Sequence, residues 1–266
     1  VGKSTLVNRL CGCERVIAAD LPGTTRDSVD TVVRTPEGKI FRLIDTAGIR
    51  RRGKVEVGIE KLSVLSSMVS LRRADVAALL IDGAQGITEQ DAHIAGYCLD
   101  EGLPVILLVN KWDAVDKDHR TADLFTKKLE EEWGFLRYAP VLYISAKNGQ
   151  RTHRVFELAE RVYKNAQRRV STHELNKRLE EWVGRRPPTM KFNRRPKVRF
   201  MTQTRVHPPT FTLFVNDPEL FHFSYKRYIA NRLREAYDFE GTLIRIQLRK
   251  NAQKREGDVE IDIDKY

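Results

Sequence analysis

The sequence predicts two successive domains of different class, an α/β domain on a mostly parallel sheet and then a small α+β domain. Three observations predict them. Over about the first 170 residues, short apolar runs alternate with stretches of helical periodicity, the pattern of repeated βαβ units. Beyond Ser171 the order becomes helix, strand, strand, helix, strand. Charge divides at the same place. Residues 1–171 carry 27 Lys and Arg against 23 Asp and Glu, residues 172–255 carry 19 against 8, and residues 256–266 carry 1 against 5. The net charge of +11 over 266 residues therefore sits in one block, and the length suffices for two cores.

In the first domain, taken as residues 1–170, strands are expected near 29–34, 39–45, 75–82, 104–110 and 140–145. Each is a β-branched or aliphatic run closed by a turn residue or a polar motif. Helices are expected near 3–11, 55–71, 88–101, 119–133 and 152–168. Thr88 is the expected N-cap of the third, with Asp91 three residues on as a weak form of the capping box. The second domain, 171–255, begins with a helix from Ser171-Thr172 to about Gly184, which Arg185-Arg186-Pro187-Pro188 ends. Strands follow at Lys197–Arg205 and Thr210–Asn216, joined by His207-Pro208-Pro209. A helix is expected over Phe223–Tyr237 and a last strand over Thr242–Leu248. Residues 256–266 form an acidic tail.

Four short motifs fall at strand ends, where an open α/β sheet gathers its ligand groups. Gly2, Lys3, Ser4 and Thr5 read as the second half of a phosphate-binding loop. The glycine lets backbone N–H groups approach phosphate, Lys3 supplies charge to the β- and γ-phosphates, and the Ser4 hydroxyl suits Mg²⁺. Asp45, Thr46, Ala47 and Gly48 end the run Phe41–Ile44. Asp45 suits a Mg²⁺-bound water, and the Gly48 N–H suits the γ-phosphate. Asn110, Lys111, Trp112 and Asp113 close the run Pro104–Val109. Asp113 can accept from guanine N1–H and its exocyclic amine, a donor pair adenine lacks. Asn110 would tie loops together, and the Lys111 stem would cover a base face. Ser145, Ala146 and Lys147 follow Val141–Ile144, with the Ala146 N–H as the expected donor to guanine O6. In this order the four specify a P-loop GTPase binding GTP or GDP with Mg²⁺. Between the first two lies Leu21-Pro22-Gly23-Thr24-Thr25-Arg26-Asp27, a switch loop in which Thr25, or Thr24 beside it, would close on Mg²⁺ and the γ-phosphate. Lys3, Thr25 and Gly48 are the catalytic candidates, and Ser4, Thr25 and Asp45 the metal candidates. Ile49 occupies the position where many GTPases carry a water-orienting glutamine, so slow intrinsic hydrolysis is expected.

Cys11, Cys13 and Cys98 make no disulfide framework and read as buried or half-buried thiols. Apolar runs stop at about six residues, far below the roughly 20 of a membrane span, so no membrane partner and a reducing, cytoplasmic setting are expected, with the chain a monomer. The basic block suggests a polyanion, RNA being the natural candidate, or else a solvated face. The run Arg50-Arg51-Arg52 is open to the same readings, or to contact with another domain. The helix–strand–strand–helix–strand order resembles a K-homology module. Its base-specific grip is a GXXG loop, yet the only glycines in 172–255 are Gly184 and Gly241. An electrostatic or shape reader, or a docking surface, is therefore expected rather than a base-specific clamp.

With these residues in view the chain resembles the bacterial ribosome-assembly GTPases Der, also called EngA. The marks are PGTTRD at 22–27, DTAGIRRRGKV at 45–55, NKWD at 110–113, and PPTFTLFVNDPELFHFSYKRYIANRLREAYDFEGT at 208–242 followed by IRIQLRK. Era and the tRNA-modifying GTPase share the TTR element, but Era's K-homology domain carries a GXXG loop. The resemblance covers nearly the whole chain and matches the family's second GTPase domain plus its K-homology-like domain. It implies GTP hydrolysis coupled to maturation of the large ribosomal subunit, with ribosomal RNA contacts. It also implies an upstream GTPase domain as partner, on which the K-homology-like domain could pack and hide its basic face until the nucleotide changes. The family's potassium-sensing asparagine would precede Val1, so K⁺ is an expected cofactor whose ligand lies outside this sequence. The start of the phosphate loop is outside it too, and a fragment of a longer protein is expected. The other function class is a non-catalytic RNA- or protein-binding module whose shortened nucleotide site no longer operates.

Overall fold

The computed structural model describes residues 2–12, 30–44, 70–116, 118, 120–191 and 193–251. The chain divides into two compact units, Val1–Arg168 with Asp238–Leu243, and Arg169–Tyr237 with the chain from Ile244 onward. The sequence reading assigned 171–255 to the second domain without a break. The structure instead returns Asp238–Leu243 to the first unit. The Val105 N–H donates to the Gly241 carbonyl at 2.7 Å, and the Gly241 N–H donates to the Tyr138 carbonyl at 2.6 Å. Phe239 and Thr242 are fully buried. The last strand consequently starts three residues later than the pattern suggested.

In the first unit, α1 (Lys3–Gly12) is followed by an antiparallel hairpin, β1 (Thr31–Arg34) and β2 (Ile40–Leu43). Then come β3 (Ala77–Asp82), α2 (Glu89–Glu101), β4 (Val105–Asn110), α3 (Thr121–Glu132), β5 (Val141–Tyr143) and α4 (Arg154–Ala166). β3, β4 and β5 form a parallel sheet in that order. Among the described residues β2 pairs with β1 alone, so the expected strand at 39–45 adds to the hairpin rather than to the parallel sheet. Of the helix expected at 55–71, only residues 70 and 71 are described, and they are helical.

Every residue of β4 is buried, which is why this strand reads as an unbroken apolar run. Its side chains alternate between two cores. Val105, Leu107 and Val109 join Leu79, Ile81, Ala95, Cys98 and Leu129. Ile106 and Leu108 join Leu6, Leu10, Val33, Ile144, Val155 and Val162. The sheet is thus the middle of three layers, with α2 and α3 on one face and α1, α4 and the hairpin on the other. The Thr88 and Asp91 pair forms a complete capping box, each side chain accepting the other's backbone N–H. Gly102 closes α2 at φ 72°. Cys98 is buried and its thiol is pushed up to about 11 by that burial. Cys11 is half-buried, and Cys13 lies outside the described residues.

The second unit contains α5 (Thr172–Arg185), β6 (Val198–Arg205), β7 (Thr210–Val215), α6 (Phe223–Tyr237) and β8 (Arg245–Lys250). The Ser171 hydroxyl caps α5 by accepting the Glu174 N–H. β7 is central, antiparallel to β6 and parallel to β8. Met201, Phe211 and Leu213 are fully buried, as are Leu175 of α5 and Ile229 and Leu233 of α6. The Tyr228 hydroxyl donates to the Trp182 carbonyl at 2.9 Å, joining the two helices. Asn176 of α5 pairs with both backbone groups of Met201, at 3.0 and 2.9 Å. That side chain occupies hydrogen-bonding groups which an edge strand would otherwise leave open. The alternation of helices and strands, with one parallel and one antiparallel strand pair, is the small α+β architecture that the sequence predicts. Among the described residues, no helix is long and apolar enough to cross a membrane.

Candidate guanine-nucleotide site

Three of the four predicted motifs meet at the C-terminal ends of β4 and β5. Asn110, 2% exposed, is their junction. Its Oδ1 accepts the Ala146 N–H at 2.9 Å, and its backbone carbonyl accepts the Gly83 N–H at 2.7 Å. A Cβ built on Gly2 would stand 2.6 Å from Asn110 Nδ2, and Gly2 has φ +93°. A side chain at position 2 would therefore face both a backbone penalty and a clash. One amide side chain of the NKWD motif thus bonds the SAK loop and stands against the start of α1.

α1 begins at Lys3, directly after Gly2, so the first N–H groups of a ten-residue helix open at this place. Its first turn contains no acidic residue, so the helix's own sequence does not counter the attraction of its positive end for an anion. Lys3 and Thr5 are exposed and Ser4 is half-buried. Lys111 takes φ 58°, turning the chain sharply at the end of β4. The Trp112 N–H donates to the Ile144 carbonyl at 3.1 Å, and its buried ring lies 4.2 Å from that of Tyr143. That packing fixes the turn from which Asp113 is presented, exposed at the surface. Ser145 is fully buried, with Oγ accepting the Asn148 N–H. Lys147 is exposed. Thr24, Thr25, Asp45, Thr46, Ala47, Gly48, Ile49 and Arg50 to Arg52 lie outside the described residues. Ser4 is thus the one metal candidate whose position is described.

Two residues absent from the sequence reading support this constellation. Arg9 of α1 reaches across to the SAK loop, donating to the Lys147 carbonyl at 2.6 Å and the Ala146 carbonyl at 3.4 Å. It links the helix of the phosphate motif to the loop of the base motif. Asp82 ends β3 and is 4% exposed. Its carboxylate contacts Lys111 Nζ at 2.5 Å and accepts the N–H groups of Ala84 and Gln85 at 3.0 and 3.3 Å. Burial raises its pKa, but Lys111 and the two amides together outweigh burial and leave the carboxyl below its ordinary range. Its stabilising contribution is therefore full above the unfolded carboxyl value near ~4 and is lost as pH falls through the lower folded value. The signal for Asp82 was present in the sequence. It follows the apolar run Ala77–Ile81 just as Asp45 follows Phe41–Ile44. Asp82→Asn keeps the shape and an acceptor for the amides while removing the charge that anchors Lys111. In a protein able to bind nucleotide, we expect about five- to tenfold weaker guanine affinity, as for one charge-assisted bond. Lys111→Ala should add little on top of it, which a double-mutant cycle by calorimetry will read.

Residues 1–111 match the family model described as 50S ribosome-binding GTPase. Residues 64–168 match that of the elongation factor Tu GTP binding domain. Residues 169–249 match the KH-domain-like C-terminal domain of EngA bacterial GTPase enzymes. GTPase Der of Listeria monocytogenes is 47% identical over 250 residues, covering 94% of this chain and 57% of that protein. GTPase Der of Clostridium botulinum is 47% identical over 254 residues, covering 96% and 58%. The chain thus spans less than three fifths of the relatives it matches. A P-loop GTPase domain with a parallel sheet precedes a KH-like domain, and the chain belongs to the Der (EngA) family of GTPases.

Proposed function

We propose that the first unit binds guanine nucleotide and hydrolyses GTP, within a protein that acts in maturation of the large ribosomal subunit. The observation that supports this most is the double role of Asn110. It holds the Ala146 backbone and stands against Gly2, so groups suited to the base and groups suited to the phosphates are fixed relative to each other. Asp113 selects guanine through its two donors, and the Ala146 backbone receives O6. Lys3 and the N–H groups opening α1 hold the β- and γ-phosphates and stabilise charge that develops there. Ser4, with Thr25 and Asp45, would hold Mg²⁺, which when bound neutralises phosphate charge. The Ile49 side chain carries no group to orient water, so turnover is slow until a partner or a monovalent cation such as K⁺ assists. The match to a 50S ribosome-binding GTPase model and the basic KH-like unit support the ribosomal part of the reading, with ribosomal RNA as the contact and the cytoplasm as the setting.

Calorimetric titration with GTP, GDP and ATP tests the site, using this chain and a form in which the start of the phosphate loop is restored. The restored form is expected to bind GTP and GDP and to discriminate against ATP by at least about a hundredfold, as two lost hydrogen bonds to a charged group require. Equal affinity for ATP, or no binding by either form, would overturn the assignment and leave the non-catalytic module as the better reading. Cosedimentation of the restored protein with purified large subunits, with GTP or with GDP, tests the partner. Nucleotide-independent or absent cosedimentation would count against a GTP-switched assembly role.

A further inference from the structure

The β-sheet of the second unit has one face turned to the buried side chains of α5 and α6. Its other face has a composition that the missing GXXG loop leaves unexplained. Cross-strand register places the residues of that face in three rows. Phe200, Phe214 and Arg249 form the first, Thr202, Thr212 and Gln247 the second, and Arg205, Thr210 and Arg245 the third. A register shift between Gln203 and Arg205 places the third row. Phe200 and Thr202 share a face by ordinary alternation, and the extra residue that this shift inserts into β6 keeps Arg205 on that face as well. Without the shift, Arg205 would point toward Met201 and the core.

None of the nine residues is acidic, and three are arginines. The rings of Phe200 and Phe214 stack at 4.2 Å between centroids with 10° between their planes. Phe200 is 37% exposed, and Arg205, Gln247 and Arg249 are exposed too. A stacked aromatic pair rimmed by arginines and other polar side chains marks a contact surface. Here the surroundings define the occupant's chemistry. The exposed guanidinium groups of Arg205 and Arg249 favour a polyanion, and a flat ring column accepts another flat ring. A single-stranded nucleic acid supplies both, with phosphates for the arginines and a base to lie on the exposed side of Phe200. A duplex supplies the phosphates but keeps its bases stacked inside, so it cannot use the column.

We propose that this sheet face is a stacking platform for an unpaired base of single-stranded RNA. Phe200 takes the base, Phe214 backs it, and Arg205 and Arg249 hold the flanking phosphates. Because every base has a π-face, the platform is tolerant of sequence. The proposal rests on the RNA-contacting reading above and names the surface and the form of RNA it takes.

Fluorescence anisotropy of the 266-residue chain with a labelled oligouridine of about 12 nucleotides, against a duplex of the same length, tests it. Phe200→Ala is expected to weaken oligouridine binding about five- to a hundredfold, the range for loss of one stacked base. Duplex binding should stay within about twofold, and Phe200→Trp should restore the single-strand affinity. Arg249→Gln, at an exposed site where folding is not at issue, should weaken both forms and reduce the salt dependence by about one phosphate contact. Equal losses for single strand and duplex in Phe200→Ala, or no loss in either, would overturn the platform while leaving RNA binding intact. Failure of the unaltered chain to bind either RNA would overturn the platform and the RNA-contacting reading together.

Discussion

Gly241→Ala is expected to destabilise the first unit by about 2–5 kcal/mol. Two costs combine. Gly241 has φ +75°, a left-handed conformation that costs a residue with a side chain about 1–2 kcal/mol. The added Cβ would lie 2.5 Å from both Cγ atoms of Val162 and 3.0 Å from its Cβ. Val162 is fully buried within the core shared by α1 and α4, so it has no room to retreat, and overpacking of this kind costs about 1–3 kcal/mol. Equilibrium denaturation will show a lowered midpoint, and the Val105 amide, which donates to Gly241, will exchange faster with solvent. Gly96→Ala is the matched control. In α2, its Cβ would meet nothing within 4 Å, and alanine there should stabilise by about 0.5–1 kcal/mol. Similar midpoints for the two variants would mean that the segment 238–243 contributes little to the unit.

The second large effect is expected at Asn110. Asn110→Ala leaves the buried Ala146 N–H without its acceptor, at a cost of about 1–3 kcal/mol. The SAK loop then loses its tether, and nucleotide binding must supply the ordering. Guanine affinity in the restored-loop protein should fall about ten- to a hundredfold, read as faster release of a fluorescent GDP. Asn110→Asp separates the two roles of the side chain. It keeps an acceptor for Ala146 but removes the donor beside Gly2 and places a charge at a nearly inaccessible position. It should cost stability at neutral pH and recover part of that stability on acidification, since a buried carboxyl favours its neutral form. Leu124→Ala, at a 63% exposed position on α3, should leave nucleotide release unchanged. Unaltered release in Asn110→Ala would remove Asn110 from its junction role.

Local rules were enough for the elements and not for the contacts between them. Thr88 and Asp91 lie three residues apart, and their capping box follows from that spacing. The apolar run of β4 carries its own burial in its composition, and α6 has the bounds its pattern suggests. The contacts of Arg9 with residues 146 and 147 join positions 137 and 138 apart in sequence, which no window along the chain contains. Asp82 was legible in principle, as a carboxylate ending an apolar run, but its partner Lys111 had already been given to the base. The last strand was misplaced because Thr242 and Leu243 have strand-forming side chains, while the bonds at Gly241 draw them into the other unit. β8 therefore pairs from Arg245, opposite Thr210.

The return of Asp238–Leu243 to the first unit also bears on the order in which the chain is made. A ribosome synthesises from the N-terminus, and domains ordinarily fold as they emerge. Here residues 2–168 emerge before Gly241, whose backbone bonds the Val105 N–H and the Tyr138 carbonyl and which arrives only after the whole of 169–237 has been synthesised. The first unit is thus completed by a segment that follows the whole of 169–237 in sequence. Nascent chains arrested before residue 238 should hold this unit in a looser state than chains arrested after 243, with the difference concentrated at the N-terminal end of β4.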